Sequence, residues 1–325
     1  MKNRIINILK SSPDFISGQE ICSRLGVSRT AVWKHINILK EEGYVIESVS
    51  RKGYRLLQSP DLITREEIGK YLPDGIPGGE IYCYDSVDST NEEAKRSAGY
   101  APDRSVFVAN QQTAGKGRRG RTWISPKGED LFFSLLLRPD IPPESASMLT
   151  LVAAMAAAEV AKRYSRESCQ IKWPNDIVLH NRKICGILTE MGAEMGEISY
   201  VIIGVGFNLN RMEFEEDIVS MATSIRKETG ERITRAAFLA DFLAEFMKRF
   251  EIFLREGDLS PFVKEYDSHL INVGKEVKIV SRQGTRIRTA LGINEKGELR
   301  IQDELGREET VFTGEVSVRG LYGYV

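Results

Sequence analysis

The stretch TAGKGRRGRTWIS (113–125) sets Lys116, Arg118, Arg119 and Arg121 among Gly115, Gly117 and Gly120. Glycine has the most backbone freedom to lose, so ordering a segment with three of them costs conformational entropy. Four cations in such a segment point to an anionic partner that offsets the cost. Read alone, the segment is compatible with a solvated turn, a nucleic-acid contact or a phosphate cradle. It does not match the G-x-x-x-x-G-K-[ST] pattern of a P-loop. Nor does it open a long helix in the G-x-G-x-x-G register of a dinucleotide-binding βαβ unit. What remains is a strand-end loop in an α/β body of another kind.

Outward from that loop, residues 65–270 alternate strands and helices, as expected of a mixed α/β domain built on one sheet. EIYCYDSV (80–87) reads as a strand, and DSTNEEAKRSA (88–98) as a helix opening at Ser89 or Thr90. SVFVANQQ (105–112) is a strand that runs into the glycine-cation loop, and DLFFSLLLRP (130–139) is the next. ASMLTLVAAMAAAEVAKRYS (146–165) is a long helix. Its apolar run covers only about half a bilayer span before Glu159 and Lys162 interrupt it, so a buried helix is expected. CQIKWPNDIVLH (169–180) reads as a strand interrupted by Pro174, and NRKICGILTEMG (181–192) as a strand opened by Lys183. ISYVIIGVGFNLN (198–210) reads as a strand ending at Gly204 and Gly206, and RAAFLADFLAEFMKRFEIFL (235–254) as the last long helix. Beyond 270, EVKIVS, TRIRTALGI, ELRIQD, REETVFTG and EVSVRG are short strands separated by glycine turns, the rhythm of a small SH3-like β-barrel.

The front of the chain differs in charge. The whole protein has a net charge of −1, whereas residues 1–58 carry ten Lys/Arg against five Asp/Glu. A basic module on an acidic body points to nucleic acid. Residues 4–10, 18–25 and 29–41 show helical spacing of apolar positions, and the last two are joined by Gly26, Val27 and Ser28, a helix-turn-helix signature. A hairpin tipped by Arg51, Lys52 and Gly53 follows, which makes the module similar to a winged helix-turn-helix. Ser28 caps the third helix, while Arg29, Thr30, Trp33, Lys34 and Asn37 fall off its apolar stripe and would face a major groove, with Arg51 and Lys52 at phosphates. QSPDLITREE (58–67) reads as the linker, with a helix opening near Thr64.

Cys22, Cys83, Cys169 and Cys185 form no C-x-x-C pair, and His35, His180 and His269 are scattered. Reduced cysteines in a cytoplasmic protein are the expectation, with no zinc or Cys/His catalytic site. MKNRIINILK (1–10) interleaves charged with apolar residues and reads as an amphipathic helix, not a signal peptide; no membrane partner is expected.

Five motifs sit at strand ends in order: DSTN (88–91), QTAGKGRRGR (112–121), KWPND (172–176), RKICGIL (182–188) and GVGFNLN (204–210). Together they make the chain similar to the bifunctional biotin–protein ligases that double as biotin operon repressors. The resemblance spans the whole chain, with one departure: Lys116 stands where the family usually has arginine. A lysine keeps the charge but loses the planar fork.

The resemblance implies a winged helix-turn-helix over 1–60, a mixed-sheet core of the biotin/lipoate ligase type over 65–270, and an SH3-like domain over 271–325. It implies an ATP- and Mg²⁺-dependent reaction in which biotin and ATP form biotinoyl-5′-AMP, and biotin then passes to a lysine of a biotin carboxyl carrier protein. It also implies that the adenylate-bound homodimer binds operator DNA and represses biotin-synthesis genes. Joining a carboxylate to an α-phosphate brings two anions together, and the glycine-cation loop supplies the opposing charge. By resemblance, Lys183 and Arg118 are catalytic. Ser89, Thr90, Asn91 and Gln112 anchor biotin, and Gly115, Lys116, Gly117, Arg118, Lys183, Gly186 and Gly204 complete its site. Arg118, Arg119, Arg121, Trp123, Lys172, Asn175, Asp176 and Asn208 serve ATP, with Mg²⁺ near Asn175 and Asp176. MEFEEDIVSMATSI (212–225) resembles a lid over the adenine. Two other readings remain open at this level: a biotin-sensing repressor with weak or no ligase activity, and a lipoate-attaching ligase.

Overall fold

A computed structural model describes residues 1–41, 43–194, 196–281, 284–312 and 317–320. The chain divides into two compact units, 1–62 and 63–325.

In the first unit, α1 (Lys2–Lys10), α2 (Gly18–Leu25) and α3 (Arg29–Glu41) are followed by the antiparallel hairpin β1 (Val45–Val49) and β2 (Gly53–Gln58). Ser17 caps α2 by accepting from the Glu20 amide at 3.1 Å, and Gly26 ends it at φ 68°. Ser28 caps α3 by accepting from the Ala31 amide at 3.2 Å. Ile5, Leu9, Ile21, Val32, Ile36 and Leu39 close a separate small core. The apolar stripe of α3 is therefore turned inward, which leaves Arg29, Thr30, Trp33 and Lys34 exposed and Asn37 half-buried on the opposite side.

The second unit begins with α4 (Arg65–Gly69), capped by Thr64. Then follow β3 (Ile81–Tyr84), α5 (Thr90–Ser97), β4 (Ser105–Ala109), β5 (Leu131–Leu137), α6 (Met148–Ser165), β6 (Gln170–Lys172), β7 (Asp176–Leu179), β8 (Arg182–Glu194) and β9 (Glu197–Phe207). The helices α7 (Ile225–Thr229), α8 (Arg235–Glu256) and α9 (Val263–His269) come next. The last strands are β10 (Glu276–Ser281), β11 (Gly284–Ile293), β12 (Leu299–Gln302), β13 (Glu308–Val311) and β14 (Ser317–Gly320). Seven strands form one mixed sheet in the order β3-β4-β5-β9-β8-β7-β6, parallel only between β3 and β4. α6 is apolar and long enough to cross a membrane, but it packs instead against α8 and is buried in the main core.

Two sequence expectations change here. The interrupted strand over 169–180 is a tight hairpin of β6 and β7, turned through the cis Trp173–Pro174 bond. Proline donates no amide and cannot continue the ladder, so the chain reverses there. The strand expected to end at Gly204 and Gly206 continues to Phe207, with both glycines paired in the sheet. The C-terminal strands form an open antiparallel sheet, β13-β12-β11-β10-β14, with no closing pair among the described residues. Residues 313–316, at the ends of the expected REETVFTG and EVSVRG strands, lie outside the described residues, as do 321–325. Ile279, Ile293 and Leu299 of this sheet share the main core, and the Trp173 indole donates to the Gly297 carbonyl at 3.1 Å.

Candidate functional site

The glycine-cation stretch folds as a small hairpin, not an open ribbon. The Trp123 amide donates to the Gly115 carbonyl at 2.8 Å and the Gly117 amide to the Arg121 carbonyl at 2.7 Å, with Arg118–Gly120 as a short 3₁₀ tip. Arg119 sits at φ 58°, a left-handed conformation that tightens the tip. A Cβ on Gly115 would lie 2.4 Å from the Trp123 carbonyl oxygen, so this glycine is required by the crossing of the hairpin itself.

The Trp123 indole borders two cavities. One, of about 50 Å³, is bordered by Ser89, Thr90, Asn91, Gln112, Lys116 and the glycines of β8 and β9. The other, of about 590 Å³, is bordered by Arg119, Arg121, Lys172, Asp176, Asn208 and, from the 212–225 segment, Phe214, Ile218 and Met221. Gly117, Arg118, Trp123, Asn175 and Lys183 line both.

Gly206 and Gly186 form the seat of the indole. A Cβ on Gly206 would lie 2.6 Å from Trp123 Cε2 and Nε1, and one on Gly186 would lie 2.8 Å from Cζ3. Among the described residues the buried indole N–H has no hydrogen-bond partner. Gly204 makes room for Asn91, because a Cβ there would lie 2.1 Å from its Oδ1. These glycines do not end the strand; they let bulky groups lie flat on it.

The small cavity has a tightly connected polar floor. Gln112 Oε1 accepts from the Thr90 amide at 2.9 Å and its hydroxyl at 3.2 Å, and Gln112 Nε2 donates to Ser125 Oγ at 2.9 Å. Ser134 Oγ, buried on β5, lies 2.6 Å from Asn91 Oδ1 and 2.8 Å from Thr90 Oγ1. Asn91 Nδ2 donates to Glu190 at 2.8 Å. Ser89, Thr90 and Asn91 are all buried.

Charge is concentrated where the cavities meet. Lys183 Nζ pairs with Asp176 Oδ1 at 2.6 Å and lies 5.1 Å from the Trp123 ring centroid. Arg118 Nη1 donates to Asn175 Oδ1 at 2.7 Å. Burial pulls the Arg118 guanidinium below its ordinary pKa, against the opposing pull of Asp176. Asn175 Nδ2 donates to the Ile187 carbonyl at 3.1 Å and to Asp176 Oδ1 at 3.0 Å, so its amide orients the two charged residues. Asn208 Nδ2, just past the end of β9, donates to the Thr223 carbonyl at 3.0 Å in the 212–225 segment. Lys183 is itself stitched to the same segment: its amide donates to the Met221 carbonyl at 2.7 Å and its carbonyl accepts from the Thr223 amide at 3.0 Å.

Sequence reasoning missed the buried ion pair that precedes the 212–225 segment. Arg211 Nε pairs with Asp130 Oδ2 at 3.0 Å, and both side chains are buried. Asp130 Oδ1 accepts from the Leu209 amide at 2.9 Å, and Arg211 Nη2 donates to the Ile124 carbonyl at 2.9 Å. Burial pushes the Asp130 carboxyl up to about 6, against the pull of Arg211. A carboxylate opening an apolar strand was the only visible signal, and nothing local paired it with position 211.

In the first unit, Arg29 Nε donates to Gln19 at 3.1 Å, and Trp33 is 59% exposed, a large apolar surface on a basic helix face. Arg51 and Lys52 are exposed at the hairpin tip, and Lys52 and Arg55 lie over the Phe15 ring at 5.8 and 4.7 Å. Phe15 and Arg55 were not singled out from sequence.

Residues 83–208 match the Biotin/lipoate A/B protein ligase family, and residues 2–55 match a helix-turn-helix (HTH) domain. Bifunctional ligase/repressor BirA of Bacillus subtilis is 39% identical over 90% of this chain and 91% of its own. Its Escherichia coli counterpart is 30% identical over 96% of this chain and 95% of its own. Among solved structures, the biotin protein ligase from Aquifex aeolicus in complex with biotin and ATP superposes with a TM-score of 0.65 at 29% identity, covering 74% of this chain and 99% of that one. With the two cavities, the cation hairpin and an N-terminal helix-turn-helix in one chain, the protein belongs to the family of bifunctional biotin ligase/repressors.

Proposed function

We propose that the two cavities hold biotin and ATP on either side of Trp123 and that the chain joins them in two steps. A carboxylate oxygen of biotin attacks the α-phosphorus of ATP, the bond to the bridging oxygen breaks, and pyrophosphate leaves. A neutral lysine amine of a biotin carboxyl carrier protein then attacks the acyl carbon of biotinoyl-AMP, loses a proton and displaces AMP. The observation that carries this reading is the placement of Lys183 and Arg118 on both cavities at once. Charge fixed in position before reaction stabilises the anions that meet there.

On this reading, Ser89, Thr90, Asn91 and Gln112 meet the ureido ring; Gly117, Gly186 and Gly204 border the same cavity, and Gly115 shapes the hairpin beside it. Arg119, Arg121 and Lys172 serve the phosphates, Trp123 packs on the ligand, and Phe214, Ile218 and Met221 cover the adenine. Asn175 and Asn208 act chiefly by orienting Arg118 and the lid, consistent with how their amides are engaged. Magnesium commonly rides on substrate phosphates with one or two protein carboxylates, and Asp176, bordering the large cavity, suits that part. When bound, the ion would neutralise the departing pyrophosphate.

Biotin-dependent exchange of label between pyrophosphate and ATP tests the first step. No exchange by folded protein would leave a biotin-sensing repressor.

The repressor half rests on the exposed basic face of α3 and the hairpin tip. In this proposal, Arg29, Thr30, Trp33, Lys34 and Asn37 enter a major groove, Ser28 caps their helix, and Arg51 and Lys52 meet phosphates. The adenylate-bound form is a homodimer whose paired winged helices read a two-fold operator, in a cytoplasmic setting. The C-terminal sheet completes an SH3-like barrel beside the ligase core. Operator affinity with and without biotinoyl-AMP is expected to differ by about 1–3 kcal/mol, the usual range of coupling between sites. Equal affinities would separate the enzyme from the repressor.

A further inference from the structure

Four charged side chains lead from the base of the cation hairpin to the floor of the small cavity. Lys116 Nζ donates to Glu92 Oε1 at 2.7 Å, and the same oxygen takes Lys95 Nζ at 2.9 Å. Lys95 also donates to Glu190 Oε1 at 2.7 Å, and Glu190 Oε2 accepts from Asn91 Nδ2 at 2.8 Å. The chain thus runs from the hairpin across one turn of α5, from Glu92 to Lys95, to β8, with signs alternating at every link. Glu92, Lys95 and Glu190 are only partly exposed, and hydrogen bonds from Lys116 and Lys95 hold the Glu92 carboxyl below its usual range.

Single pairs of this exposure contribute little, but here each middle residue serves two partners, so one ordering cost supports two bonds. The cavity beside Lys116 measures about 50 Å³. The hairpin carrying Lys116 and Trp123 forms part of its wall, and the Lys116–Glu92 pair ties that hairpin to α5.

We propose that Glu92, Lys95 and Glu190 are positioning residues: with Lys116 they form an ionic latch that holds the hairpin against α5 and sets how long biotinoyl-AMP is retained. The latch rests on the biotinoyl-AMP reading of the site. It also gives Lys116 a task that a lysine performs well, delivering a point charge to one carboxylate oxygen.

The test loads the full chain with labelled biotinoyl-AMP made in place from biotin and ATP, without acceptor, and follows its loss into excess unlabelled biotinoyl-AMP. Glu92→Gln and Lys116→Met are each expected to release it roughly three- to tenfold faster. The double variant should be no more than about twofold faster than the faster single, because both cut the same tether. Lys116→Arg should restore slow release, and Glu92→Gln should form adenylate in a single turnover within about twofold of wild type at saturating biotin. Wild-type release from both single variants, or multiplying effects in the double, would overturn the latch. If the wild-type chain forms no adenylate at all, the functional reading itself fails and takes the latch with it.

Discussion

On one side of the Trp123 indole, a cavity of about 50 Å³ is bounded by hydroxyls and amides that hydrogen-bond one another, together with Lys116, Arg118 and Lys183; on the other, one of about 590 Å³ adds Arg119, Arg121, Lys172 and the 212–225 segment. The small site is made by regular structure: Thr90 and Asn91 open a helix, Ser134 lies in mid-strand, and Gly204 is paired in the sheet. The large site is made by loops, pinned at a few points such as Asp130–Arg211 and the Lys183 backbone. Recognition of a neutral ring needs fixed donors and acceptors, whereas phosphate chemistry needs charge that can be enclosed after binding. On the proposed reading, the first set of groups gives selectivity and the second serves the chemistry, with Arg118 and Lys183 shared by both.

That separation can be broken from either side. The largest effect is expected from Asp130→Asn, which removes the buried countercharge of Arg211 and leaves it only the longer, exposed Glu215 pair at 3.5 Å. Urea unfolding should show a loss of about 3–5 kcal/mol, the range for a buried pair stripped of one partner. Lys183→Ala should slow adenylate formation by about 2.7–4 kcal/mol, as for loss of one charge-stabilising donor, while biotin affinity falls less. Single-turnover kinetics at wild-type speed would remove Lys183 from the chemistry.

Gly204→Ala attacks the other cavity. Its methyl displaces the Asn91 amide and should weaken biotin binding by about 1–3 kcal/mol, read as a raised KM with kcat nearly kept. A fall in kcat alone would show that the two cavities do not divide the work.

The smallest effect concerns the turn that leads into Lys183. His180 pairs with Glu228 at 2.7 Å and also with Glu167, and these two carboxylates raise its pKa above 6.5. A raised imidazole pKa stabilises the fold fully below about 6.5 and loses that contribution as pH rises through the folded value. The group is half exposed, so the gain is at most about 1 kcal/mol. The difference in Tm between wild type and His180→Gln should therefore shrink from pH 6 to pH 8; a constant gap would place the contribution in packing.

Much of this architecture was legible before any coordinates. Helical spacing outlined α1 to α3, strand-and-glycine rhythm outlined the sheet, and the five ordered motifs marked most residues that line the two cavities. The errors fell where a local rule met a distant neighbour. Gly204 and Gly206 read as strand ends because glycine weakens strands, yet their partners Asn91 and Trp123 come from α5 and the hairpin. Pro174 read as an interruption, whereas cross-strand pairing of Lys172 with Asp176 makes it a reversal.

Residue order by itself determined the basic helical front, the alternating body, and the collection of cations needed to draw a carboxylate and a phosphate together. These follow from periodicity, composition and charge, which act over a few neighbouring residues. Only the tertiary structure decided that Asp130 supports Arg211, that Glu190 supports Asn91, and that Lys116 is held by Glu92. Such pairs are selected by which surfaces burial brings together, and side chains distant along the chain carry no local mark of the partner they will meet.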